Sequence, residues 1–152
     1  MSLERWKEIG WLREHETSDQ EVGSILQLVE RDLKDAAREE VSPDWRFNIA
    51  YNAGLQLATL VLYGAGYRAG RGESKHYRVI QALPLVMGEH FSSLRDYLDN
   101  CRRKRNISEY DAAGTVSMKE ATDILQTVQE FKIKVENWLS QKHPEVFARP
   151  KE

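Results

Sequence analysis

Apolar residues recur every three or four positions along most of the chain, and the polar breaks between those runs are short. Val22, Ile25, Leu26, Val29, Leu33 and Ala36 keep the period of one helix face. Ser18 and Glu21 precede them at capping-box spacing, which predicts a helix ending near Val41. "SPDW" predicts the next start, with Ser42 as cap and Pro43 where a missing N–H costs nothing. That helix runs through "NIAYNAGLQLATLVLY" and is apolar on nearly every side from Leu55 to Tyr63, so it is expected to be the most buried. The glycines of "GAGYRAGRGES" stop it. Ser74 is the expected cap of a third helix, "KHYRVIQALPLVMG", which Pro84 kinks or ends.

A fourth helix carries Phe91, Leu94, Leu98 and Cys101 on one stripe. "AAGTVS" breaks the chain, and Ser117 with Glu120 makes a second capping box. Ile124, Val128, Phe131, Val135 and Leu139 then line a long last helix that His143 and Pro144 end. Ahead of all these, Leu3, Trp6 and Trp11 give an apolar edge to a short helix over residues 2–15. No segment alternates as a strand does, and no strand is expected. The pattern predicts an all-α fold, an antiparallel four- to five-helix bundle. It forms a single domain over residues 1–152, with its core at about 18–140 and a polar tail at 144–152.

Composition narrows the function classes. Cys101 is the sole cysteine, so no internal disulfide forms, and the four histidines lack ligand spacing. No metal or cofactor is expected. No run approaches the eighteen or so apolar residues of a membrane span. The charged start "MSLERWKEIGW" does not read as a secretory signal. These features point to the cytoplasm and away from a membrane. The formal charge of −2 argues against a protein that coats nucleic acid through its overall field, so any such contact must be local.

Local charge is what the chain does have. "CRRKRNISEYD" places Arg102, Arg103, Lys104 and Arg105 in succession, then Asn106 and Tyr110. Four successive positions exceed one helical turn, so these cations cannot share one direction. A solvated helix end accounts for them without any ligand. Arginine forks onto phosphate and a Tyr hydroxyl can donate to its oxygens, which makes an anion site the sharper reading. A second basic stretch, "GYRAGRGESKHYR", holds Arg68, Arg71, Lys75, His76 and Arg78. Its glycines match neither the dinucleotide fingerprint nor the P-loop.

In order and spacing, "GYRAGRGESKHYRVIQAL", "RRKRNISEYD" and the long last helix resemble the HEPN superfamily of helical bundles, over roughly residues 18–140. The resemblance implies a homodimer with facing motifs. It also implies a metal-independent endoribonuclease activity, often in a toxin–antitoxin or defence system alongside a nucleotidyltransferase antitoxin. The family motif is an Arg followed after four to six residues by a His. Arg105 matches that arginine, Asn106 the polar residue beside it, and Arg103 is the alternative arginine. Tyr110 stands where the histidine belongs.

That substitution matters for chemistry. Metal-free RNA cleavage needs a base near neutral pKa to deprotonate the 2′-hydroxyl. A Tyr near 10 does this poorly. The expected function is therefore binding of RNA or nucleotide phosphate, with weak or no cleavage. The binding residues are Arg102, Arg103, Arg105, Asn106, Tyr110, His76 and Lys75, and Arg105 and Tyr110 are the candidates for any catalysis. Two other readings stay open: an active endoribonuclease in which Tyr110 or His76 takes part, and a helical protein–protein interaction module.

Overall fold

The computed structural model describes residues 2–72, 74–110 and 116–144, and the side chains of 106–110 lie outside that description. The protein is mostly helical. α1 is Leu3–Glu8, α2 Asp19–Ala36, α3 Pro43–Gly64, α4 Lys75–Gln81, α5 Leu83–Met87, α6 Ser92–Tyr110 and α7 Met118–Lys142. Two three-residue strands, β1 (Leu12–Glu14) and β2 (Tyr67–Ala69), pair antiparallel. Among the described residues no helix is long and apolar enough to cross a membrane.

α3 is the centre of the bundle, and its apolar circumference explains why. Phe47, Ala50, Tyr51, Leu57, Leu60 and Leu62 point in different directions around it and all are buried. It packs against α2 on one side and α7 on another, with α6 and α4 closing further faces. The facing stripes are those the periodicity predicts: Val22, Val29 and Ala36 from α2, and Ile124, Val128, Phe131, Val135 and Leu139 from α7. The capping box at the start of α7 is complete, with both the Ser117 and Glu120 side chains engaged. At α2 half of the box forms. Ser18 accepts from the Glu21 N–H, while the Glu21 carboxylate goes to His15 and Thr17.

α2 stops at Ala36, five residues short of the expected end, and a buried arginine marks the place. Arg46 donates from Nε to the Ala36 carbonyl at 2.8 Å. A carbonyl left open at the helix end is thereby satisfied from α3.

The first fifteen residues depart from the expected helix. Gly10 has φ of +84°, a left-handed turn that ends α1 and lets the chain reverse. Leu12 then enters the core as the inward residue of β1, with Arg13 and Glu14 outside. The expectation of no strand is thus corrected. Three residues are too few to register as an alternation, and their partner lies at 67–69, inside what reads as a glycine-rich loop. Trp6 is buried, so this tryptophan folds back on the body.

The expected third helix is two. The ladder breaks at Ala82, and Pro84, without an N–H, sits in the first turn of α5. Ser74 does not cap α4 either. Its backbone is left-handed, φ 70° and ψ 24°, and the hydroxyl makes no capping bond.

Candidate functional site

Two basic segments far apart in sequence meet between α4 and α6. Helical rotation of about 100° per residue distributes the four successive cations of α6 in different directions. Lys104 turns toward α7 and bonds Glu120 at 2.9 Å. Arg103 stays on the outside and reaches Asp99 at 3.1 Å and the Asn100 side chain at 2.8 Å. Arg102 turns toward α4. Its guanidinium lies 5.4 Å from the Tyr77 ring centroid while its Nε donates to Asp99 at 3.0 Å. Arg105 turns toward α3 and lies 5.4 Å from the Tyr51 ring centroid.

α4 brings the second segment. Lys75, His76 and Tyr77 open that helix and, with Ser74 and Arg102, line a cleft of about 220 Å³. The His76 ring centroid sits 6.4 Å from that of Tyr51, so Tyr51 is a neighbour of both His76 and Arg105. The structure therefore brings together Arg102, Arg105, Lys75 and His76 of the residues expected from sequence. Arg103 does not join them. Asn106 and Tyr110 lie in α6, but their side chains are outside the described residues.

Charge at the site is partly compensated. Asp99 is buried and holds both Arg102 and Arg103. It fixes the guanidinium of Arg102 in orientation and halves the field those two cations project. Arginine keeps donors in reserve after one such bond, because its fork carries five N–H groups.

Tyr51 and Tyr77 are site residues that sequence reasoning missed. Tyr51 sits within "NIAYNAG", where it reads as one more core residue, and it is indeed fully buried. Its hydroxyl has no hydrogen-bond partner among the described residues. Burial pushes that hydroxyl up to about 12, against the opposing pull of the Arg105 and Arg102 charges. It is a neutral donor, not a base. The signal that could have found it is an aromatic residue with a polar tip on a helix otherwise apolar all round.

The remaining cations of the second segment serve the fold or face elsewhere. The Arg78 guanidinium lies 5.4 Å from the Trp11 ring centroid, which ties α4 to the N-terminal segment. Cys101 faces the groove between α6 and α7 beside Tyr97, and burial pushes its thiol up to about 12. It is a packing residue and not a nucleophile.

The fold and site together define a mostly helical bundle with a basic cleft between α4 and α6, lined by Lys75, His76, Tyr77 and Arg102. No family model, curated protein or solved structure matches the chain.

Proposed function

We propose that this protein binds RNA or nucleotide phosphate through the cleft between α4 and α6, and cuts RNA weakly or not at all. One observation carries the reading: Arg102 of α6 lines the same cleft as Lys75 and His76 of α4, and Arg105 lies at the Tyr51 ring next to His76. A solvated helix end would not need a second cationic element opposite it. Each arginine lies 5.4 Å from a tyrosine ring centroid, and the guanidinium fork is the side-chain group best matched to phosphate. The HEPN resemblance extends the proposal to a homodimer with the cleft at its interface, in a toxin–antitoxin or defence setting with a nucleotidyltransferase-type partner.

The test is binding of a labelled RNA oligonucleotide by Arg102→Ala and Arg105→Ala, with affinity followed across salt. Each variant is expected to weaken binding and to flatten the log–log salt slope by about 0.7 for every phosphate it no longer neutralises. Unchanged binding in both variants overturns the reading. A monomer at all accessible concentrations overturns the dimeric part.

Weak cleavage is the part on which His76 bears. An imidazole beside two arginines is the group that could take a 2′-hydroxyl proton near neutral pH. Incubation with RNA in EDTA separates the cases. Cleavage that disappears in His76→Ala makes the protein an endoribonuclease, and intact RNA at high protein concentration leaves binding as the function.

A further inference from the structure

Lys75 and His76 are shared by two clefts. The first is the 220 Å³ cleft with Arg102. The second, of about 240 Å³, opens on their other side between α3, β2 and α4. Its apolar lining includes Leu55, Leu62 and Val79, and Arg68 joins Lys75 and His76 at its polar side.

Neither cleft has a carboxylate among its described lining residues. The other grooves differ. Lys104 shares its groove with Glu120 and Asp123, and another mouth carries Glu14 and Glu16. The strand pairing adds to the excess, because Arg13 lies directly across from Arg68 in register. Like charges opposite one another in a strand pair repel, which an anion between them would relieve. Glu21 senses the Arg68 charge, but its carboxylate bonds His15 at 2.6 Å and Thr17 at 2.7 Å. No described carboxylate forms an ion pair with Arg68 or Lys75.

An apolar lining is wrong for a bare phosphate and right for a ring next to one. The volume lies below the roughly 300–1,000 Å³ of a pocket for a drug-sized ligand, so it suits a single ring system. From this we infer that the ligand is a single-stranded RNA of at least two nucleotides that crosses Lys75 and His76. One phosphate lies at Arg102, the neighbouring one lies at Arg68, and the base between them enters the α3–β2–α4 cleft. Apolar contact with a base face is tolerant of sequence, so the preference is for single strands and not for a particular base. The inference rests on the function proposed above and narrows its ligand from any nucleotide phosphate to a strand.

The experiment measures anisotropy of a fluorescein-labelled RNA octamer with the full chain, in wild type, Arg68→Glu, Arg68→Ala and the Arg102→Ala, Arg105→Ala double variant. Arg68 is exposed, so folding is expected to survive and is checked by circular dichroism. Arg68→Glu is expected to weaken octamer binding about tenfold, and Arg68→Ala to lower the salt slope by about 0.7. AMP is expected to compete poorly for the octamer. Octamer binding unchanged by both Arg68 variants, but abolished in the double variant, overturns this inference and leaves the α4–α6 cleft standing. Binding unchanged in all variants overturns both. Polyphosphate or polyglutamate competing as well as RNA at matched charge means the clefts read charge alone, or an acidic protein, and overturns the base pocket.

Discussion

Tyr51 is where site and core meet in one residue. A buried hydroxyl without a partner loses its hydration and gains no bond in return. Tyr51→Phe is therefore expected to leave stability within about 1 kcal/mol of wild type in chemical denaturation, whereas Tyr51→Ala should cost roughly 3–5 kcal/mol through the cavity it leaves. The same burial predicts a pH effect. The hydroxyl titrates from an ordinary 10.0 in the unfolded chain and from about 12 in the folded one. The neutral form is thus favoured by folding, and its contribution is complete below pH 10 and lost as pH rises toward 12. Denaturation midpoints measured across that window should fall less steeply in Tyr51→Phe. Nothing in the sequence around Tyr51 announces its neighbours, because Arg105 and His76 reach it from other helices. Arg102 and Arg105, by contrast, are readable as candidates from the run of cations they belong to, although that run alone also fits a solvated helix end.

At the level of elements, the two serines expected to cap helices separate cleanly. Ser117 caps α7 from extended backbone and accepts from the Glu120 N–H at 3.1 Å. Ser117→Ala is expected to cost about 1 kcal/mol. Ser74 sits left-handed and makes no cap, so the same change there should do little, and Ser74→Gly should stabilise by up to about 1 kcal/mol. Paired thermal melts of the three variants check the contrast. These serines also mark how far local pattern reaches. Helix faces and the α7 cap follow from spacing within one element, and they were readable. The path of residues 67–74 is set by β1 and by the floor of α3, which no local window contains. That is why local pattern predicts neither β2 nor the uncapped start of α4. Arg46 shortens α2 for the same reason: its partner carbonyl lies ten residues back, on another helix.

For the whole molecule, the strand pair is the clasp that joins the N-terminal segment to the site. The Gly70 N–H donates to the Trp11 carbonyl at 2.8 Å, and a Cβ at Gly70 would run into the backbone of Gly10 and Trp11. Gly70→Ala is expected to destabilise by about 1–3 kcal/mol and to release Trp6 from the core. A red shift of tryptophan emission at unchanged helical content would report it, and an emission spectrum identical to wild type would refute the clasp. The clasp also orders events during synthesis. Leu12 cannot find Ala69 until more than fifty further residues have been made, which at about 5–20 residues per second takes on the order of several seconds. Closing so long a loop also makes the pairing entropically late in refolding. Trp6 and Leu12 thus leave the ribosome well before the segment that covers them. During that interval the segment holding Trp6 and Leu12 is a natural landing place for a chaperone, and the cationic cleft beside β2 does not yet exist.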